Sequence, residues 1–333
     1  MSLPGPSRPE FHGPALHLAG PTASGKSAVA VELALRLGGE ILSADSMQVY
    51  RGLDIGTAKP TAERTLVPHH LIDLAEPGEG FDVTRWLDAA RAAVAAVRAR
   101  GRVPIFCGGT GLYFRAWLEG FDPLPAPDPA LRQVLEHTPL AELLEELKRD
   151  DPDTHDRIDR FNPRRVVRAV EILRLGGSGR RTRTRAGTPG GASASVAASA
   201  EPVFVLRRVA EDLRRRMETR VDAMFARGLV EETRSLLSRG LGDNRIALQA
   251  IGYRQVVEHL RGERDLADAI ALVKSRTWQY GRRQMSWFRS KPGVVWVDVG
   301  VAETPAEVAD RILQDPAVRG MNREAGTEGG LPR

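Results

Sequence analysis

Cysteine is nearly absent from this sequence, because Cys107 is the only one in 333 residues. A single thiol excludes an intramolecular disulfide and a multi-cysteine zinc site. Also missing are an apolar run long enough to cross a bilayer and an N-terminal secretion pattern of basic, apolar and small-residue regions. We therefore expect a cytoplasmic protein that does not enter a membrane, with Cys107 packed in its strand as a small apolar residue.

The charge is small overall but unevenly distributed. The chain has 48 lysines and arginines against 43 acidic residues, a formal net charge of +5. Ten arginines and three acidic residues lie between Thr154 and Arg185, and six cations with no acidic residue lie from Lys274 to Lys291, interleaved with Trp278, Tyr280, Trp287 and Phe288. Cations beside stacking rings are typical of surfaces that bind single-stranded nucleic acid. Alternatively, the rings belong to the core and the arginines form a solvated helix face.

A phosphate-binding pattern begins at residue 20. Its eight residues follow Gly-x-x-x-x-Gly-Lys-Ser and are Gly20, Pro21, Thr22, Ala23, Ser24, Gly25, Lys26 and Ser27. An apolar run precedes the loop and a helical pattern follows it, which is the strand, loop and helix order that this site requires. Backbone N–H groups and the helix N-terminus would hold phosphate oxygens, Lys26 would add a compact positive charge, and Ser27 would ligate Mg²⁺.

Two further apolar runs end in polar residues. Residues 40–43 lead into Asp45, and residues 102–107 lead into Thr110. In an open parallel α/β sheet, ligands bind outside the carboxyl ends of the strands. We therefore expect an α/β fold in which the phosphate loop, Asp45 and Thr110 converge on one crevice.

The pattern also divides the chain into segments. We expect a disordered tail at residues 1–14, an α/β core at 15–120 and 201–316, a helical insertion at 121–200 and a loose tail at 317–333. In the insertion, Asn162 followed by proline predicts a helix start, and the glycine pair after Leu175 predicts its end. A Gly, Ser and Arg rich tract then runs to about residue 200 and is expected to be flexible.

Six short motifs resemble, in this order, those of the bacterial tRNA dimethylallyltransferases. They are residues 45–50 (Asp-Ser-Met-Gln-Val-Tyr), 54–60 (Asp-Ile-Gly-Thr-Ala-Lys-Pro), 68–73 (Pro-His-His-Leu-Ile-Asp), 108–113 (Gly-Gly-Thr-Gly-Leu-Tyr), 252–254 (Gly-Tyr-Arg) and 282–288 (Arg-Arg-Gln-Met-Ser-Trp-Phe). The resemblance implies a P-loop NTPase-like parallel sheet flanked by helices, with an inserted small helical domain that binds tRNA.

The resemblance also implies an activity. The enzyme would transfer the dimethylallyl group of dimethylallyl diphosphate to N6 of the adenosine immediately 3′ of the anticodon in tRNA, with Mg²⁺ as cofactor and diphosphate as the leaving product. We expect it to act as a monomer.

Roles for single residues follow from the same resemblance. Asp45 would hold and deprotonate the N6 amine, and Thr110 would hydrogen-bond the oxygen that leaves with the diphosphate. Arg220, preferred over Arg216, would join Lys26 on the diphosphate. The residues implied in tRNA contact are Asp45, Ser46, Met47, Gln48, Thr110, Arg132, Arg164, Arg165, Val166, Val167 and Arg168.

Two other classes of protein share part of this pattern. A small-molecule or nucleotide kinase would use the same loop and Asp45 as a base, but it would need a nucleoside triphosphate. A nucleic-acid-dependent ATPase would need a carboxylate after an apolar strand, for which Asp73 and Asp298 are poor candidates. Both alternatives predict nucleotide turnover.

Overall fold

The computed structural model of the chain describes residues 13–120, 124–125, 128–176, 201–319 and 321. The expectations of a disordered tail before residue 13, of a flexible tract at 177–200 and of a loose tail beyond 321 lie outside these residues. Among the described helices, none is both long and apolar enough to cross a membrane.

One sheet of parallel strands organises the fold. Its strands are β1 (Leu16–Ala19), β2 (Gly39–Ala44), β3 (His69–His70), β4 (Val103–Gly108), β5 (Val203–Arg207) and β6 (Val294–Asp298). Their order across the sheet is β3-β2-β4-β1-β5-β6. Every residue of β1, β2 and β4 is buried, as expected for a parallel sheet that helices cover on both faces. The expected α/β class is confirmed.

The strands that carry the motifs are neighbours. Ala19 of β1 aligns with Gly108 of β4, and Gly108 aligns with Ala44 of β2. The three strands therefore end at the same level. The residues that follow them, including Asp45 and Thr110, lie at one edge of the sheet.

Helices connect and flank these strands. They are α1 (Lys26–Leu37), α2 (Val83–Ala99), α3 (Gly111–Glu119), α4 (Pro129–His137), α5 (Leu140–Asp150), α6 (Pro152–Arg157), α7 (Pro163–Arg174), α8 (Ala210–Ala226), α9 (Leu229–Leu237), α10 (Tyr253–Leu260), α11 (Leu266–Arg289), α12 (Pro305–Leu313) and α13 (Pro316–Arg319). The sequence explains where α1 stops, because Gly38 adopts the left-handed conformation (φ 61°) and its N–H donates to the carbonyl of Ala34.

The chain divides into two compact units, one within residues 1–119 and 198–333 and the other within residues 120–197. The first unit contains the sheet. In the second unit, α4, α5 and α7 surround a separate core built from Leu135, Leu143, Leu147, Val166 and Val170.

The C-terminal end of the described chain differs from the expected loose tail. Residues Pro316–Arg319 form α13, and the side chains of Val318 and Met321 are buried in the core beside the sheet. The apolar side chains of this segment face the core, so the chain stays packed beyond residue 316.

Candidate active site

A cleft opens where β1, β2 and β4 end. The side chains and loops that line it belong to Thr22, Lys26, Ser27, Ala30, Ile41, Ser43, Asp45, Gln48, Thr57, Ala58, Pro60, His69, Cys107, Gly108, Arg220, Tyr280 and Gln284. The structure thus brings together the phosphate loop, Asp45 and Arg220, which are far apart in the sequence. All of these residues belong to the unit that contains the sheet.

The phosphate loop follows β1 and leads into α1. Gly25 adopts a φ of 96°, a conformation that side chains rarely accept, and it directly precedes the first residue of α1. The first-turn N–H groups of a helix have no partner within the helix, so they suit an anion. The hydroxyl of Ser24 is buried and has no hydrogen-bond partner among the described residues.

Two cations face the cleft. Lys26 Nζ lies 3.3 Å from the carbonyl oxygen of Pro21, and Arg220 Nη2 lies 3.4 Å from that of Thr57. Burial lowers the pKa of Lys26 and of Arg220, and the nearby charge of Asp45 opposes this shift in both. Both cations are therefore poorly solvated, and an anion bound between them would stabilise their charged forms.

Arg216 occupies a different position from Arg220. Its side chain is exposed, and Nε donates a 3.0 Å hydrogen bond to the carbonyl of Ala23 in the phosphate loop. Arg220, one turn further along α8, lines the cleft. Arg216 therefore contacts the backbone of the phosphate loop, whereas Arg220 can contact an anion bound in the cleft.

Asp45 follows β2, and Thr110 follows the neighbouring strand β4. Asp45 Oδ1 accepts the N–H of Met47 at 2.9 Å, and Thr110 Oγ1 accepts the N–H of Ser46 at 3.0 Å. The hydroxyl of Thr110 donates a long hydrogen bond of 3.4 Å to Ser46 Oγ, and so long a bond is weak enough for a ligand to replace it. Within the described part of the chain, no hydrogen bond reaches the second Asp45 oxygen, so it is available as an acceptor or a base.

Neighbouring polar groups hold the side chain of Gln48, which also lines the cleft. Ser43 Oγ donates to Gln48 Oε1 at 2.8 Å, and Gln48 Nε2 lies 3.3 Å from the carbonyl of Thr57. The Cys107 thiol is buried, and burial raises its pKa to about 11. It therefore stays protonated near neutral pH and acts as an apolar packing residue, as the sequence predicts.

In the second unit, two expected tRNA contacts turn out to be core residues. Val166 is 0% exposed and Val167 is 8% exposed. Both side chains point from α7 into the apolar core of the unit. The tRNA contact expected of this stretch stays a prediction, but burial of the apolar face of α7 leaves only its polar face accessible.

The arginines of this unit fall into two groups. Arg132 and Arg168 both pair with the carboxylate of Glu171, which is 0% exposed, and Arg168 also donates to the carbonyl of Pro125 at 2.7 Å. Arg164 and Arg165 are exposed and make no ion pair with any residue that the structure describes. The first group is structural, and the second is free to meet an anion.

The ring of Phe161 was missed by sequence reasoning. It is 96% exposed and lies just before α7, next in sequence to the exposed Arg160 and close to Arg164 and Arg165. A phenyl ring exposed to this degree and flanked by cations is accessible to a binding partner. Its sequence signal was weak, because a lone phenylalanine does not reveal whether it is buried.

The aromatic residues of α11 behave differently from the expected RNA surface. Phe288 is 1% exposed, Trp287 packs edge to face against it, and Trp278 and Tyr280 are half-buried. Gly111 explains the close fit, because a Cβ there would lie 2.4 Å from the Trp287 ring. Phe288 therefore belongs to the core with Trp287 packed against it, as in the alternative interpretation of this segment, whereas Tyr280 lines the cleft.

Family models and known relatives match the chain over most of its length. The model described as IPP transferase matches residues 48–291, and the one described as isopentenyl transferase matches residues 15–68. The chain belongs to the IPP transferase family. A tRNA dimethylallyltransferase 1 of Trichlorobacter lovleyi is 45% identical over 85% of this chain and 92% of its own length. A tRNA dimethylallyltransferase of Anaeromyxobacter dehalogenans is 47% identical over 84% of this chain and 93% of its own length.

Solved structures of this family agree with the fold. A tRNA isopentenylpyrophosphate transferase of Bacillus halodurans is 36% identical, with a TM-score of 0.65 over 93% of this chain and 97% of that one. A eukaryotic dimethylallyltransferase acting on tRNA is 25% identical, with a TM-score of 0.73 over 90% of this chain and 77% of that one. The chain is therefore a transferase with the P-loop NTPase-like fold of this family.

Asp73 and Asp298, the two carboxylates considered for an ATPase, form ion pairs outside the cleft. Asp73 pairs with Lys59 at 2.6 Å, and Asp298 forms two bonds with Arg207 at 2.5 and 2.7 Å. Asp298 ends β6 at the far edge of the sheet. Neither residue lines the cleft.

Proposed function

We propose that the cleft binds dimethylallyl diphosphate and transfers its allyl group to N6 of the adenosine immediately 3′ of the anticodon in tRNA, giving N6-isopentenyladenosine and diphosphate. The observation that carries this proposal is the convergence of an anion site and a base in one cleft. Lys26 and Arg220 supply the anion site, and Asp45, which lines the same cleft, supplies the base. Thr110 accepts the N–H of Ser46, the residue next to Asp45.

The diphosphate is held by the phosphate loop, residues 20–27, with Lys26 and Arg220 as its cations. The site also fits Mg²⁺, because the ion favours one or two protein oxygens together with substrate phosphates. Ser27 lies at the start of α1 and lines the cleft, so its hydroxyl would be the protein ligand. The ion would supply positive charge against the phosphate oxygens.

The chemistry then requires one bond to form and one to break. The N6 nitrogen attacks the allylic carbon, the carbon–oxygen bond breaks, and its electron pair leaves with the diphosphate. Asp45 accepts the proton that N6 loses. Thr110 donates its hydroxyl proton as a hydrogen bond to the departing oxygen, where charge grows only in the transition state. Lys26 and Arg220 stabilise the same charge.

The acceptor must leave the anticodon stack to react. An amine within a stack is inaccessible in line, and enzymes that modify such bases extrude them. Ser46, Met47 and Gln48 follow Asp45 and would line the path of the flipped base. One chain carries every group named here, so we propose the monomer as the active form.

The second unit supplies a separate RNA surface, composed of Phe161, Arg164 and Arg165. The two exposed arginines bind phosphates, and the Phe161 ring stacks on an unpaired base. Arg132 and Arg168 contribute indirectly, because they neutralise the buried Glu171 and hold α7 in place.

A single assay separates this function from the kinase and ATPase alternatives. The protein is mixed with tRNA, Mg²⁺, ATP and allyl-labelled dimethylallyl diphosphate. We expect label in the tRNA at the adenosine next to the anticodon and no ADP. ADP formation without labelled tRNA would establish nucleotide turnover and remove the proposal.

A further inference from the structure

Gln284 of α11 forms hydrogen bonds with two loops of the active site, the phosphate loop and the loop that follows β4. Its side chain is 6% exposed. Oε1 accepts the backbone N–H of Thr22 in the phosphate loop at 3.1 Å, and Nε2 donates to the carbonyl of Gly109 at 2.9 Å. Because one partner is a donor and the other an acceptor, they fix which end of the amide is oxygen and which is nitrogen.

Glutamine suits this position for a chemical reason. A single planar amide offers one acceptor and one donor, which an aliphatic or a carboxylate side chain of the same length cannot do. The chain also makes room for it. A Cβ on Gly109 would lie 2.1 Å from Gln284 Nε2, so only glycine lets the amide approach the backbone here.

The bridge continues from Gly109 to the base. Thr110, the next residue, donates its N–H to the carbonyl of Ala44 at 3.1 Å and accepts the N–H of Ser46 on its side chain. Asp45 lies between those two residues. A short chain of hydrogen bonds therefore runs from the diphosphate loop through Gln284 to the loop that holds Asp45.

Tyr280 supports the bridge one helical turn earlier. Its ring lines the cleft beside Asp45 and Gln284. Burial and the Asp45 charge raise the pKa of its hydroxyl, while hydrogen-bonding contact with Thr110 and Gln284 acts in the opposite direction. Tyr280 therefore remains a neutral hydroxyl group against the Thr110 side of the bridge.

We propose that Gln284 is a positioning residue, which fixes the diphosphate loop relative to Asp45 and Thr110 and so sets the distance between the allyl donor and the adenosine. This inference rests on the proposed function. It matters because transfer needs the reacting atoms within about 3–3.5 Å, and a misplacement of roughly 1 Å costs on the order of a hundredfold in rate. Gln284 does not touch the reacting atoms and acts through the loops that it joins.

The test uses Gln284→Met, which keeps the length of the side chain and removes both hydrogen bonds. Gln314→Met, at the exposed end of α12, is the matched control. Three quantities are measured for each full-length protein: the single-turnover rate at saturating substrates, the separate affinities for dimethylallyl diphosphate and tRNA, and the midpoint of thermal unfolding. We expect Gln284→Met to lower the saturated rate at least tenfold, with both affinities within about threefold of the parent. The control keeps the parental rate.

Gly109→Ala provides a second route to the same bridge. It leaves Gln284 in place and pushes its amide away from the Gly109 carbonyl, so it should reproduce the loss of rate. The double variant should lose less rate than the sum of the two single variants predicts, because both changes remove the same hydrogen bond between Gln284 and Gly109. Parental saturated rates in either single variant would overturn the proposal.

Two further outcomes are decisive. The proposal is overturned if weaker substrate binding fully explains the slower reaction. It is also overturned if both single variants unfold below the assay temperature, because Gln284 would then be a structural residue. The parent is assayed alongside. Absence of allyl transfer by the parent would count against the proposed function itself, whereas transfer by the parent with unchanged variants counts against Gln284 alone.

Discussion

At the scale of single residues, the anion site depends on buried cations. Lys26 Nζ donates to the Pro21 carbonyl at 3.3 Å, so its hydrogen bond in this conformation goes to a neutral acceptor. A diphosphate would replace that weak partner with a charged one, and hydrogen bonds to charged groups are stronger than neutral ones.

We therefore expect Lys26→Ala to weaken dimethylallyl diphosphate binding roughly ten- to a hundredfold, the range expected from about 1.5–3 kcal/mol for a charged hydrogen bond. The exposed Lys148 on α5 gives the control variant Lys148→Ala, which removes the same charge. A binding titration with the labelled diphosphate decides the matter. Equal affinities in the parent and Lys26→Ala would remove Lys26 from the anion site.

Phe161 gives a second prediction at this scale. Stacking of one base on an aromatic ring contributes about 1–3 kcal/mol, so Phe161→Ala should weaken tRNA binding roughly five- to a hundredfold. Phe161→Tyr keeps the ring and should bind as the parent does. The salt dependence should stay the same in both variants, because no charge is removed. If Phe161→Ala binds tRNA with parental affinity, the ring does not stack on RNA.

At the scale of one element, α7 has two faces with different tasks. Val166, Val167 and Val170 pack its inner face into the core, while Arg164 and Arg165 stand on the outer face. Arg168 cannot be grouped with them, because its loss would leave the buried Glu171 carboxylate with one cation fewer. Removal of one partner from a buried ion pair costs about 3–5 kcal/mol, which would confuse binding with folding.

The double variant Arg164→Ala with Arg165→Ala should therefore flatten the salt dependence of tRNA affinity. Each phosphate contact contributes a log–log slope of about −0.7 to −0.9, so the slope should fall by roughly 1.5. Lys148→Ala with Arg149→Ala removes the same charge from exposed positions of the same unit and should leave the slope unchanged. Identical slopes for all three proteins would exclude α7 from the RNA interface.

At the scale of the whole molecule, the sequence predicted what local patterns encode. Strand, loop and helix order marked the phosphate loop, and polar residues after apolar runs marked Asp45 and Thr110, because parallel strands bring their carboxyl ends to one edge. The role of α11 was missed. Gln284 is separated from Thr22 by 262 residues, and no periodicity reveals so distant a partner.

The same limit applies to the second unit. The family resemblance implied tRNA contacts for Arg132 and Arg168, which stay predictions, but their partner Glu171 is recognised only once α4 and α7 are packed together. Val166 and Val167 were carried over with their neighbours, although the periodicity of α7 places both on its buried face. Charge clusters predict a surface only after buried counterions have been identified.

The central claim is that Asp45 holds and deprotonates the N6 amine, and Asp45→Asn tests it most directly. Asparagine keeps the acceptor oxygen for the Met47 N–H and loses the base. We expect affinities for tRNA and dimethylallyl diphosphate close to those of the parent, and a single-turnover rate lower by roughly a hundred- to ten-thousandfold, the usual contribution of a general base. If instead the variant loses Mg²⁺-dependent diphosphate binding while its bound complexes react at the parental rate, Asp45 serves the metal and the account is contradicted.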